Sequence, residues 1–363
     1  MNHPAIAGTP PRLRAPRGVA LAGLATSMFL VVLDAAMVNT AGLGIREGLG
    51  LSAAELTFVA TSYLVAFAGL LLLGGRLADV LGGRRLYLTG MAVFLVACAV
   101  CALAPGAPVL IAGRVLQGIG AALVVPSALA LALALSPSPE QRTRVVGIWG
   151  AVAGAGGLLG LALGGTLTQV LGWQSVFWAP VAVGALGAAV VVRSVPDLPG
   201  RAGRFDLPGA LSITAGISAL AYGVVTAAEV GWTDPGAVVA VVAGLALLVV
   251  FVAVERRSPH PLVPLAIFRT GPVARVSAVV MLVGATSVSM FFFLPLYLQQ
   301  VRGMDAQSAG LALAPAAFSL IVGSALAPLL ARVLGLRRAG SAGLLLLLVG
   351  FAWLTLNLSL IHI

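Results

Sequence analysis

The chain alternates long apolar runs with short polar breaks, and each run has the length of a membrane-crossing helix. About 20 mostly apolar residues are needed to span the hydrocarbon core. On that scale the pattern predicts eleven spans, at residues 19–43, 56–74, 86–104, 108–135, 145–171, 174–195, 207–228, 236–254, 273–298, 309–334 and 339–360. The first follows Arg12, Arg14 and Arg17 as a signal peptide's apolar segment would. Its run is too long for that, and a second span follows closely, so an uncleaved anchor is expected.

The spans fall into groups. Spans 1–6 are joined by short loops, and span 6 ends in the polar run from Arg193 to Asp206, which carries Pro196 and Pro199. Two spans follow, then a second basic, proline-bearing linker from Glu255 to Pro272, then three more spans. The expected organisation is a cytoplasmic tail at 1–18, a six-helix bundle at 19–195, a linker region with two additional helices at 196–272, and a three-helix partial bundle at 273–363. The fold class is all-α, a polytopic membrane protein.

Arginine placement tests the register. With the N-terminus cytoplasmic, eighteen arginines fall in inside segments and two, Arg46 and Arg302, outside, leaving Arg114 within a span. One miscounted helix would invert every later loop and ruin this asymmetry, so the positive-inside rule supports the whole topology.

Composition narrows the class. Apolar residues make up 60% of the chain and charged residues 9%, with a mean hydropathy of +1.09. A soluble domain carries roughly 25% charged residues, so this chain lacks the polar groups to cover a globule in water. The formal charge of +10 comes from 21 basic residues, all arginine, against 11 acidic ones; the arginines are scattered among hydrophobic runs rather than gathered on one polar face, which argues against nucleic acid as a partner. Cys98 and Cys101 share one apolar run and read as helix packing, because a reactive or metal-binding pair needs a wetter, electropositive setting. His3, His260 and His362 have no nearby partner in the sequence. Neither a metal-ligand cluster nor a nucleophile with a base stands out, so no metal, cofactor or enzymatic activity is expected. The absence of a G-x-x-x-x-G-K-[ST] loop argues against an ATP-driven pump.

Two charges fall well inside spans: Asp34 in span 1 and Arg114 in span 4. An ionisable residue near a helix centre costs ~2.5–3.5 kcal/mol on insertion scales, so it faces a cavity or a partner. From the 1.5 Å rise per residue, Asp34 lies ~14–16 Å from the outer end of its span and Arg114 ~9 Å from the outer end of its own. An arginine side chain bridges that difference if the helices are neighbours. Two readings stand side by side: a structural ion pair that holds the bundle together, or a protonatable carboxylate whose proton affinity depends on the arginine and on water access. Asn39, five residues beyond Asp34, and Gln117, one turn beyond Arg114, are candidates for a polar substrate pathway, with helix-packing amides as the alternative. Gly156, Gly160 and Gly164 repeat every four residues in span 5, with Gly165 beside them, giving a flat stripe for close helix approach.

Several segments resemble the major facilitator superfamily. Gly75-Arg76-Leu77-Ala78-Asp79-Val80-Leu81-Gly82-Gly83-Arg84-Arg85, read as a cationic turn between spans 2 and 3, is similar to that family's G-x-L-A-D-R-x-G-R-K loop, departing at Val80 and Gly83. Arg114-Val115-Leu116-Gln117-Gly118-Ile119-Gly120-Ala121-Ala122 resembles R-x-x-Q-G-x-G-A-A, and Leu33, Asp34, Val38 and Asn39 match part of L-D-x-T-I-V-N-V-A-L-P. Gly160, Gly164 and Gly165 stand in the antiporter pattern G-P-x-x-G-G, with Leu161 in place of its proline. Phe205 to Gly209, Leu265 to Arg269 and Phe293 to Gln299 look like segments of the fourteen-helix drug:proton antiporter branch.

The resemblance implies a major facilitator fold with an incomplete second bundle, and a C-terminally truncated reading of a fourteen-helix transporter. It implies a monomer in the plasma (inner) membrane, with small molecules, protons and the lipid bilayer as partners. Asp34 and Arg114 would carry proton coupling. Gly75, Asp79, Gly82, Arg84 and Arg85 would form a conformational latch, with Asp79 pairing to an arginine on a neighbouring helix. The expected function is proton-coupled export of drugs, antibiotics or toxic metabolites by alternating access. The alternatives are a metabolite uniporter or symporter of the same fold, or an inert fragment.

Overall fold

The computed structural model describes residues 15–197, 200, 206–259, 261–269 and 271–359. The described chain is helical throughout, running α1 (Arg17–Leu49), α2 (Ala53–Leu81), α3 (Gly83–Ala102), α4 (Ala107–Ala134), α5 (Pro139–Leu171), α6 (Ser175–Ser194), α7 (Leu207–Val230), α8 (Pro235–Arg257), α9 (Gly271–Gln300), α10 (Ala306–Ala312), α11 (Ala314–Leu334) and α12 (Leu336–Ser359). Among the described residues, ten helical segments are long and apolar enough to cross a membrane, and α9 contributes the shorter apolar stretch Val273–Ser287. Arg12, Arg14, Arg201, Arg204, Phe205 and the three histidines lie outside the described residues.

The predicted span 309–334 is present as the apolar segment Gln307–Leu334, with one irregular residue inside it. Leu313 separates α10 from α11, and Pro315 sits in the first turn of α11. Proline has no N–H to donate and fits a first turn, so it restarts the helix rather than continuing it. Span 1 runs past its predicted end, since its helix continues to Leu49. There Gly48 packs so closely on Trp173 that an added Cβ would stand 2.5 Å from the indole nitrogen. Gly50 then ends the helix at φ 63°, returning its N–H to the Arg46 carbonyl.

Short turns are fastened by caps at the polar ends. Ser52 and Glu55 form a capping box at the start of α2, and Ser138, Asp206, Asp234 and Asp305 cap α5, α7, α8 and α10. Each satisfies an N–H that the first helical turn would otherwise leave bare.

Helix α1 is the hub of the first six, packing on α5, α6 and α4, while α4 is flanked by α2 and α3. Both clusters of buried apolar side chains belong to these six helices. One gathers Leu24, Leu30, Tyr87, Met91 and Phe94, and the other Met37, Ile45, Leu110, Trp173 and Phe177. Helices α7 and α8 pair as a hairpin that leans on α2 through the Phe58–Tyr222 ring stack. At its base the Glu255 carboxylate accepts the N–H groups of Leu262 and Val263 at 3.0 and 3.3 Å, turning the following linker back on α8. Helices α10 and α11 reach the bundle mainly through α5, and α12 packs on α11.

Candidate functional site

Asp34 stands at the middle of α1, and both it and Arg114 are sealed from solvent. Arg114 Nη1 donates to Asp34 Oδ2 at 2.7 Å. Gln117, one turn along α4, donates from Nε2 to Asp34 Oδ1 at 3.0 Å, so each carboxylate oxygen has its own donor. The same glutamine accepts a second bond from Arg114 Nη1 through Oε1 at 2.8 Å. Arg114 Nε reaches across to the Val59 carbonyl on α2 at 3.2 Å, and its guanidinium lies 4.4 Å from the centre of the Tyr63 ring. The knot thus draws on α1, α2 and α4, with α3 closing it through its cysteines.

The spacing explains the geometry. Residues three apart share a helix face, so Arg114 and Gln117 present one fork toward α1. Small residues make the approach possible: Gly118 and Gly120 lie so near α2 and α3 that a Cβ would stand 2.5 Å from the Tyr63 carbonyl or 2.7 Å from the Phe94 nitrogen. The aromatic face adds a cation–π contact of the kind worth more when desolvated. A buried pair whose charges are matched and hydrogen-bonded is tolerable, whereas removing one partner costs roughly 3–5 kcal/mol.

Three members of the knot were not singled out as site residues in the sequence. Cys98 Sγ accepts a bond from Gln117 Nε2 at 3.0 Å, and Cys101 Sγ lies 3.5 Å from Gln117 Oε1, so both free thiols border the ionic pair. Tyr63 supplies the ring. The three-residue spacing of Cys98 and Cys101 marked a shared face, but only the rotation of α3 decided that it looks toward α4.

Asn39 lies five residues past Asp34, turned well away around α1, half-buried and apart from the knot. Gln117 is fully buried within the ion pair rather than lining a cavity.

The segment 75–85 differs from its expected form. It is no open turn: α2 continues through Leu81, Gly82 at φ 93° is the sole break, and α3 begins at Gly83. Asp79 is largely exposed and lies 4.0 Å from Arg76, one turn back on its own helix. Among the described residues it meets no arginine of a neighbouring helix. The other cations turn to the end of α6. Arg84 Nη2 donates to the Val192 carbonyl at 2.8 Å, and Arg85 pairs with Asp197 at 3.1 Å. Gly75 rests beside Pro126 of α4.

The glycine stripe of α5 packs on α1. A Cβ at Gly156 would stand 2.6 Å from the Phe29 carbonyl oxygen, and one at Gly160 2.7 Å from that of Leu33. Gly164 meets Thr40 and Met37, and Gly165 is buried beside it. A second glycine face, not anticipated as such, carries Gly150 and Gly154 against Ser324 and Ile321 of α11.

Comparison with known proteins follows the same helices. The family described as Major Facilitator Superfamily matches residues 24–361. The chain is 39% identical over 336 residues to the cephamycin export protein CmcT of Amycolatopsis lactamdurans, covering 91% of this chain and 69% of that protein. It is 38% identical over 332 residues to the puromycin resistance protein pur8 of Streptomyces alboniger (88% and 65%), and 35% identical over 300 residues to a methylenomycin A resistance protein of Streptomyces coelicolor (83% and 63%). The chain therefore spans about two thirds of the length of the curated relatives it matches. Among solved structures it resembles a peptide transporter POT in complex with sulfate, at a TM-score of 0.58 and 18% identity over 86% of this chain and 67% of that one. It also resembles the proton:xylose symporter XylE, at 0.56 and 16% over 87% and 69%; both likenesses speak to the fold. From the match over almost its full length, and from relatives well above 30% identity, this polytopic all-helical chain belongs to the major facilitator superfamily.

Proposed function

We propose that the protein is a proton-coupled antiporter that exports small, amphipathic molecules such as antibiotics across the plasma membrane by alternating access. The observation that carries this reading is the Asp34–Arg114–Gln117 knot: a carboxyl group at mid-helix depth that meets two donors from one face of α4. Protonation of Asp34 removes the charge that holds Arg114 and frees the guanidinium toward Gln117 and the Val59 carbonyl. Deprotonation on the other side of the membrane restores the pair. Such a two-state contact is what a transport cycle needs in order to be biased by a proton gradient.

Export rather than import is supported by relatives named for antibiotic export or resistance. A cytoplasmic N-terminus is supported by the eighteen-to-two division of arginines. Residues 19–195 are read as one rocking body, 196–272 as linker with an added hairpin, and 273–363 as part of the opposing body. The self-paired α7–α8 hairpin leaning on α2 favours the fourteen-helix branch. A monomer suffices, since the knot is assembled within one chain.

The test is ethidium efflux from cells of an efflux-deficient host, with and without nigericin to collapse the pH gradient. The chain should drive efflux that nigericin abolishes, and Asp34→Asn should reduce it to background while the protein still accumulates in the membrane. Wild-type efflux by Asp34→Asn would overturn the coupling role, and accumulation of the dye would overturn the direction.

A further inference from the structure

A cavity of about 1050 Å³ lies between α5 and α6, floored by the first turns of α1. Its volume is at the upper end of ligand pockets, which run ~300–1,000 Å³. Its walls are almost wholly apolar, from Phe29 on α1, Ile148 and Val152 on α5, and Leu186 and Val190 on α6. Ile148 and Leu186 are 43% and 68% exposed, so the cleft opens sideways, where lipid surrounds the helices. On α5 this face is distinct from the two glycine faces that meet α1 and α11, and the cleft does not include Asp34.

One end of this apolar cleft is polar, and two of its buried polar atoms are unsatisfied. Arg17, Gln141 and Arg144 all line it. Arg17 is tethered by one bond, Nη2 to the Ser136 hydroxyl at 2.8 Å, while its Nε is buried with no partner. Gln141 Oε1 is likewise buried and unpartnered. A buried donor or acceptor left unpaired costs ~1–3 kcal/mol, and here a cationic donor and an acceptor flank the same mouth. An occupant with long apolar chains, an anionic phosphate and a hydroxyl-bearing headgroup would satisfy all of them at once. The chains would fill the cleft, the phosphate would take Arg17 Nε and the Arg144 guanidinium, and the hydroxyl would donate to Gln141.

We propose that this cleft is a binding site for an anionic phospholipid, of the phosphatidylglycerol class, from the leaflet on the basic side of the protein. The proposal rests on membrane embedding alone and is independent of proton coupling. Bound there, the lipid would brace α5 against α6, which otherwise touch little.

The experiment uses the chain in nanodiscs doped with photoactivatable phosphatidylglycerol or phosphatidylcholine, followed by peptide mapping of the crosslinks. Phosphatidylglycerol should label α5 and α6 peptides around Ile148 and Leu186 at least tenfold more than phosphatidylcholine does. The double variant Arg17→Gln/Arg144→Gln should lose most of that preference, because each surface cation contributes ~1 kcal/mol toward an anionic headgroup, about fivefold in affinity. Ala155→Trp, which fills the cleft while leaving the cations, should suppress labelling by both lipids. Equal labelling by the two lipids, or crosslinks spread evenly over exposed helices such as α8, would overturn the proposal using the wild-type chain alone. So would a preference that survives the double variant.

Discussion

Helix α5 carries glycine on two faces and meets its two neighbours in different ways. Toward α1, backbone atoms of Phe29, Leu33 and Met37 lie 2.6, 2.7 and 2.8 Å from where a Cβ would stand at Gly156, Gly160 and Gly164. Toward α11, the nearest atoms are side-chain atoms, Ile321 Cγ1 and Ser324 Oγ, both at 2.9 Å from the corresponding point at Gly154 and Gly150, with the Ile321 backbone nitrogen farther off at 3.3 Å. Gly310 of α10 is the exception on that side, approaching the Leu161 carbonyl closely. The α1 contact is therefore a backbone-to-helix weld. The α11 contact is a seam in which side chains can turn out of the way. Helix α5 is thus held against the backbone of α1 and mainly against side chains of α11.

Three substitutions break or sharpen this contrast. The largest effect is expected on the welded side from Arg114→Ala, which strands Asp34 without its ion partner at the junction of α1, α2 and α4. Stability should fall by roughly 3–5 kcal/mol, read as a lower midpoint in mixed-detergent denaturation. A midpoint unchanged from wild type would mean that the knot does not hold these helices together. Gly160→Val comes next, since its side chain must displace the Leu33 backbone. A loss of ~1–3 kcal/mol is expected in the same assay, and a neutral result would show that α1 and α5 are free to separate. Smallest is Gly150→Ala on the seam, where Ser324 need only rotate. It should stay within ~0.5 kcal/mol of wild type and preserve ethidium efflux, and a loss as large as that of Gly160→Val would erase the distinction between weld and seam.

The knot illustrates how far the sequence reached. Asp34 and Arg114 were visible because a charge deep in an apolar run is costly, and their depths allowed them to meet. Gln117 was visible as a neighbour of Arg114, though as a pathway residue rather than as the second donor to Asp34. Tyr63 and the two cysteines carry no such mark, since an aromatic or a thiol in a membrane helix is ordinary packing material. Asp79 shows the reverse. Its segment named a family and suggested a latch, yet the carboxylate stands exposed beside Arg76 while Arg84 and Arg85 fasten onto the end of α6.

What the sequence by itself determined is the run of apolar helices and the two charges that must find partners, with the placement of arginine suggesting how the helices are oriented. Those follow from the length of apolar runs, the placement of arginine and the cost of burying charge, all of which act along one segment at a time. Only the tertiary structure decided which face of α5 meets α1 and which meets α11. It alone turned α3's cysteines toward Gln117, left a cleft between α5 and α6, and set an irregular turn at Leu313 within the tenth span. The physical reason is that lipid tails are as apolar as the side chains they surround. No hydrophobic pattern therefore fixes a helix's rotation, which is settled by small residues and polar contacts between helices.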